Sequence, residues 1–126
     1  MSSQRVLVDT DVLIDFLRKN ARARQLLEEA VNTHVLCSSV VTLSEILAGM
    51  RPSESEATES LMAGLILFPV TEQIARTAGD LRRKISSKKI LLADCLIAAT
   101  AIKENCLLLT FNRRDYLTSG LGFYPV

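Results

Sequence analysis

The chain has 126 residues, 48% of them hydrophobic and 23% charged, with fifteen Lys and Arg against fourteen Asp and Glu for a formal net charge of +1. This excludes disorder, which goes with few apolar residues and high net charge. It also excludes a chain-wide polybasic surface, so any nucleic acid must be met by a local patch.

Strand-like and helix-like segments alternate from end to end. Val6-Leu7-Val8 is a short continuous apolar run, as expected of a strand buried on both faces. A helix is predicted from about Asp11 to Lys19, with Val12, Leu13, Phe16 and Leu17 on one side. Asn20 can cap a second helix that carries Leu26, Leu27, Ala30 and Val31. Val35-Leu36-Cys37 reads as strand two, and Ser38 or Ser39 caps a helix with Leu43, Ile46, Leu47 and Met50. Pro52 breaks the pattern, and Ser53 with Glu56 forms a capping box for a helix to about Leu65. Ile66-Leu67-Phe68 reads as strand three. Thr71 caps a helix to about Ile85, and the loop Ser86–Lys89 leads into a very apolar helix, Ile90 to Ile102. Cys106 to Leu109 reads as strand four, followed by a polar turn from Thr110 to Asp115. Gly122-Phe123-Tyr124 is a candidate last strand.

Repeated β-α units argue for one α/β domain over residues 1–126, with a central, mainly parallel sheet of four to five strands and helices on both faces. No apolar run reaches the roughly 18 residues of a membrane span. Met-Ser-Ser-Gln-Arg runs into a strand without a signal-peptide core, so a cytoplasmic location is expected. Cys37, Cys95 and Cys106 lie in apolar segments without CxxC spacing and read as small buried hydrophobes. His34, the only histidine, reads as a strand-edge residue.

In open α/β sheets, ligands bind beyond the carboxyl ends of strands, so polar residues there carry the most weight. Asp9 directly follows strand one and is either a site residue or a helix N-cap. Asp94 sits in an apolar helix with no Lys or Arg at i±3 or i±4, where an unpaired carboxylate is costly. Its alternatives are a metal or a distant salt bridge. Glu45 lies in another apolar helix with no second charge, or at that helix's exposed edge. Asn112 and Asp115 follow strand four, in the site or in ordinary turn chemistry. Together these make an all-oxygen donor set without Cys or His, which suits Mg²⁺ or Mn²⁺ rather than Zn²⁺.

These segments resemble the PIN domains. Val6-Leu7-Val8-Asp9-Thr10-Asp11-Val12-Leu13-Ile14 resembles their opening strand and turn. Ser44-Glu45-Ile46-Leu47-Ala48-Gly49 is similar to their helical Glu motif. Leu92-Ala93-Asp94-Cys95 with the Ala-rich stretch to Ala101 resembles their third motif, and Leu109-Thr110-Phe111-Asn112-Arg113-Arg114-Asp115-Tyr116 their fourth. A single domain of this size resembles the VapC toxins of toxin–antitoxin pairs. The resemblance implies a Mg²⁺-dependent ribonuclease, with Mn²⁺ as an alternative ion, and maps Asp9, Glu45 and Asp94 onto the family's acidic residues. Asn112 stands where many relatives carry Asp, so either Asn112 or Asp115 completes the site. It also implies a homodimer and a VapB-like antitoxin partner.

Thr10 could orient a ligand or phosphate, or cap a helix. Asp11 and Asp15 suit a helix first turn, with Asp11 close to the site. Residues 1–63 carry six basic and nine acidic side chains, and residues 64–126 nine and five, so the near-neutral total is a cancellation. Arg113 and Arg114, in the turn, are the candidate phosphate contacts. Arg82, Arg83, Lys84, Lys88 and Lys89 form a second basic cluster, equally well explained as a solvated helix end. The small helix after Ser53 offers Ala57, Leu61 and Leu65 either as core or as a groove for a partner helix.

Two rivals remain from sequence alone. Asp9-Thr10-Asp11-Val12 looks like the nucleophile loop of haloacid-dehalogenase-type phosphatases, with Asp9 as nucleophile, but a later Lys motif and paired Asp are missing. A non-catalytic PIN-like binding domain is the other, though such members should lose their carboxylates.

Overall fold

The computed structural model describes residues 4–116 and 120–126; Met1–Ser3, expected to lead straight into the first strand, lie outside them. The elements run β1 (Arg5–Val8), α1 (Thr10–Leu17), α2 (Ala21–Thr33), β2 (Val35–Ser39), α3 (Val40–Gly49), α4 (Ser55–Ala63), β3 (Ile66–Phe68), α5 (Glu72–Lys84), α6 (Leu92–Lys103) and β4 (Cys106–Leu109). Short 3-10 turns stand at Pro52–Glu54 and Arg113–Tyr116.

The four strands are all parallel, in the order β3-β2-β1-β4. The chain builds outward from β1 through β2 to β3, then crosses back to lay β4 on the other side. The strand order therefore reverses between β1 and β4, the place where α/β sheets open a crevice for ligands. The expected fifth strand is reduced to a single parallel bridge, Leu108 to Phe123. It is held by Leu108 N–H donating to Gly122 and Tyr124 N–H donating to Leu108.

Alternation along β1 splits the core into two layers, as successive strand residues must face opposite ways. Leu7, with Cys37 and Leu108, packs against Ile74 and Ala78 of α5 and Ile97 and Ala98 of α6. Val6 and Val8, with Leu109, pack against Val12 and Leu13 of α1, Leu27 of α2, Ile46 of α3 and Met62 of α4. Val6, Leu7 and Val8 are fully buried. Each such side chain contributes about 1.5–3 kcal/mol through the hydrophobic effect. All three cysteines are free and buried, and burial raises each thiol above its ordinary range. His34 ends α2, half-buried, with its ring edge-on to Tyr124.

Several caps match their sequence signals. Asn20 accepts from Ala23 N–H, Ser39 from Val41 N–H and Thr71 from Ile74 N–H. Other boundaries move. The box expected at Ser53 and Glu56 is made two residues earlier, where Glu54 accepts from Arg51 N–H at 2.8 Å. Pro52 lacks an N–H and suits a first-turn position, so it starts this turn, and α4 ends at Ala63 rather than Leu65. The last apolar helix starts at Leu92 instead of Ile90, with Leu91 and Leu92 exposed and burial setting in at Cys95. Asp94 is therefore half-buried in the first turn, not embedded in a helix hidden all round. Among the described residues, no helix is long and apolar enough to cross a membrane.

Candidate active site

Asp9 leaves β1 at its carboxyl end and caps α1, its Oδ1 accepting from Thr10 N–H at 2.8 Å. Its N–H extends the ladder to Leu109 of β4 at 2.9 Å. That bond brings the residue after β1 beside the residue after β4. Thr110 accordingly donates its hydroxyl to Asp9 Oδ2 at 2.9 Å. Tyr116, in the turn that follows, donates to the same oxygen at 3.0 Å and reaches Asp94 Oδ1 at 3.3 Å. Asp94 Oδ2 accepts from Leu91 N–H at 2.9 Å and tethers the start of α6. One buried hydroxyl thus joins carboxylates from a strand end and a helix start.

Two further carboxylates flank this pair. Asp11 accepts from Val12 N–H at 2.8 Å, from Phe111 N–H at 3.1 Å and from the Asn112 amide at 3.0 Å. Asn112 N–H in turn donates to Thr110 Oγ1 at 3.0 Å. Glu45, on the exposed side of α3, accepts from the Thr10 hydroxyl at 2.7 Å, while Thr10 also meets the buried Thr42 hydroxyl at 3.0 Å. The edge position foreseen as the alternative for Glu45 is the observed one, and the Thr10 contact ties it to the residue after Asp9.

Electrostatics single out Asp9. Only 3% of it is exposed, and burial first, then the charge of Asp11, push its carboxyl up to about 7. Burial also raises Asp11. The Tyr116 phenol is held well above its ordinary value by burial and by the two carboxylates, so it stays protonated as a donor. Among the described residues, no Lys or Arg forms an ion pair with Asp9, Asp11, Glu45, Asp94 or Asp115. The distant salt bridge considered for Asp94 is absent there. No three Asp, Glu, His or Cys side chains among the described residues converge tightly enough to chelate one ion by themselves. Mg²⁺ commonly takes one or two carboxylates and keeps several waters, so the Asp9–Asp94 pair fits it. The oxygen-only donors, and the lack of a Lys or Arg ion-paired to them among the described residues, fit it as well.

The model of the PIN domain matches residues 6–118. The chain belongs to the PIN-domain family. Among its relatives are two proteins of Mycobacterium tuberculosis. Ribonuclease VapC10 is 43% identical over 109 residues, 85% of this chain and 82% of that protein. Ribonuclease VapC19 is 40% identical over 113 residues, 87% and 90% of the two chains. Of solved structures, a toxin–antitoxin complex from Klebsiella pneumoniae aligns at a TM-score of 0.80 and 26% identity, over 96% of this chain and 99% of the other. VapBC2 from Rickettsia felis, bound to a promoter DNA fragment, aligns at 0.82 over 96% and 98%. At 20% identity that second likeness speaks for the fold alone.

Membership in the PIN family sets aside the phosphatase reading of Asp9-Thr10-Asp11-Val12. In this PIN domain the fourth motif divides its labour. Asn112 reaches Asp11, whereas the half-buried Asp115 makes no side-chain hydrogen bond or ion pair among the described residues. Arg113 and Arg114 are exposed, Arg113 lying over the Phe123 ring at 4.8 Å. The other basic cluster follows its structural alternative in part: Arg82 donates to Ile85 at the end of α5, and Arg83 pairs with Asp80.

Sequence reasoning missed Thr110 and Tyr116 as site residues. Thr110 had a usable signal: it directly follows β4 as Asp9 directly follows β1, so parallel pairing places them side by side. Tyr116 had none beyond its place at the end of the fourth motif.

Proposed function

We propose that this PIN domain, spanning residues 1–126 as one unit, is a Mg²⁺-dependent endoribonuclease of the VapC kind, restrained by a cognate antitoxin. The observation that carries it is the linking of buried Asp9 and half-buried Asp94 through Tyr116 at the switch in strand order, with no Lys or Arg ion-paired to either among the described residues. The relatives named ribonucleases support the choice of RNA.

Asp9 and Asp94 would hold the cation, with Mn²⁺ an acceptable substitute, and Glu45 and Asp115 would complete the acidic site around it. When bound, the ion polarises a phosphodiester oxygen and lowers the pKa of a coordinated water. Thr10 steers Glu45 toward solvent at the mouth, where it can accept a proton from an attacking water. Asn112 acts through Asp11 by holding its carboxylate in place. Arg113 and Arg114 meet substrate phosphates. A cleft of about 340 Å³ beside Glu45, with Arg18 and Arg51 in its wall, gives a flanking nucleotide room. The lack of a free Ser-His or Cys-His pair is no obstacle, since the nucleophile is water.

The antitoxin segment docks between α1, α2 and α4, in a cleft of about 610 Å³ lined by Phe16, Leu17, Lys19, Arg24, Glu28 and Ala57. Leu61 and Leu65 pack into the core, so Ala57 alone of the face foreseen on α4 faces the partner. The working unit is a cytoplasmic homodimer.

The test is incubation of purified protein with mixed RNA, with Mg²⁺ and with a chelator, beside Asp94→Asn. Cleavage should need the metal and disappear in the variant while its fold persists. Full activity in Asp94→Asn, or cleavage indifferent to chelation, overturns the assignment.

A further inference from the structure

We propose that Tyr116 is the positioning residue of the carboxylate pair: its hydroxyl spans Asp9 and Asp94 and thereby sets how tightly the site takes a divalent cation. The proposal rests on the metal-dependent reading above. The two carboxylates arrive from separate parts of the fold, the end of β1 and the first turn of α6. Among the described residues, Tyr116 is the side chain bonded to both, at 3.0 and 3.3 Å.

The count of lone pairs shows what remains for a cation. An ionised carboxylate offers about four acceptor sites. Asp9 gives one to Thr10 N–H and two, both on Oδ2, to Thr110 and Tyr116. Asp94 gives one to Leu91 N–H and shares the single Tyr116 proton with Asp9 through the longer, 3.3 Å contact. One site on Asp9 Oδ1 and one on each oxygen of Asp94 are left open. The tyrosine therefore fixes both groups and still leaves each able to ligate.

Tyr116 is 1% exposed and its ring packs in the α5–α6 core layer, so the hydroxyl has little freedom to leave. Without it, no side chain among the described residues relates the two carboxylates except their mutual repulsion. Groups of this kind, one bond behind the ligands, set ligand orientation, and their loss commonly weakens metal binding 10–100-fold.

Tyr116→Phe keeps the buried ring and removes only the hydroxyl. Mn²⁺ binding is measured by calorimetry on the intact chain and on the variant, with melting temperatures in EDTA alongside. The Mn²⁺ dissociation constant should rise about 10–100-fold. RNA cleavage by the variant should need more Mg²⁺ yet approach the wild-type plateau, because no reacting group is lost. Thr110→Val, which takes a donor from Asp9 and an acceptor from Asn112 N–H but leaves the Tyr116 link to Asp94 in place, should loosen Mn²⁺ much less. A Tyr116→Phe protein that binds Mn²⁺ within about twofold of wild type overturns the proposal, whatever its melting temperature. So does equal loosening by Thr110→Val. Failure of the wild-type chain itself to bind Mn²⁺ removes the metal-dependent reading, a different outcome from a normal wild type beside an unchanged variant.

Discussion

Replacing Asp9 by Asn should stabilise the metal-free protein at alkaline pH. Asp9 is 3% exposed and its carboxyl is carried from 3.8 to about 7, chiefly by burial and next by Asp11. For an acid whose pKa is raised on folding, the native state binds more protons than the unfolded chain between the two values. Stability is then greatest below about 3.8 and falls as pH rises through about 7. At 1.36 kcal/mol per unit, the full loss has a ceiling of about 4 kcal/mol. The asparagine side chain has the same shape and keeps an acceptor for Thr10 N–H. Its amide can donate to the Thr110 hydroxyl, which turns to accept. The Tyr116 hydroxyl, which loses its acceptor on Asp9, keeps Asp94 Oδ1, so the variant avoids the cost of an ionised buried group without leaving an unsatisfied one. At roughly 3–5 °C per kcal/mol for a domain of this size, its melting temperature in EDTA should exceed wild type by about 5–15 °C at pH 8. The gap should close toward pH 4. Millimolar Mg²⁺ should raise the wild type and leave Asp9→Asn unmoved. Denaturation of both proteins from pH 4.5 to 8.5, with and without metal, reads all of this. A difference that does not change with pH, or a variant less stable at pH 8, refutes the reasoning.

Two further outcomes follow from named contacts. Asn112→Asp exchanges a donor for a like charge about 3.0 Å from Asp11 Oδ2; it should cost about 1 kcal/mol without metal. Paired thermal melts should show that loss recovered in millimolar Mg²⁺. Reversing Arg113 and Arg114 to Glu, both exposed, should weaken RNA binding and flatten its salt dependence by about 0.7 in log–log slope per lost phosphate contact. Filter binding across a salt series measures it, with fold stability lowered by no more than about 1 kcal/mol, the scale of the lost Arg113–Phe123 contact.

The local punctuation of the fold was legible because it is made of short-range contacts. Asn20, Ser39 and Thr71 each bond an N–H two or three residues on, so their chemistry announces the helix they start. The boundary errors share a cause. Pro52 and the Ile90–Leu92 stretch have apolar or constrained residues compatible with more than one start, and tertiary burial chose between them. The acidic candidates were legible for another reason. Asp9, Glu45 and Asp94 stood beside apolar segments with no near cation, which is a one-dimensional fact.

What the sequence by itself determined is the alternation of elements, the all-oxygen chemistry and the identity of the carboxylates to be explained. What only the tertiary structure decided is their arrangement. Thr110 and Tyr116 reach Asp9 across 101 and 107 residues of chain. They do so because β4 pairs with β1 in a register that sets Leu109 against Val8. A strand's partner depends on which apolar faces are buried together over the whole chain. No local propensity encodes that choice, so the partners of Asp9 become readable only once the sheet is assembled.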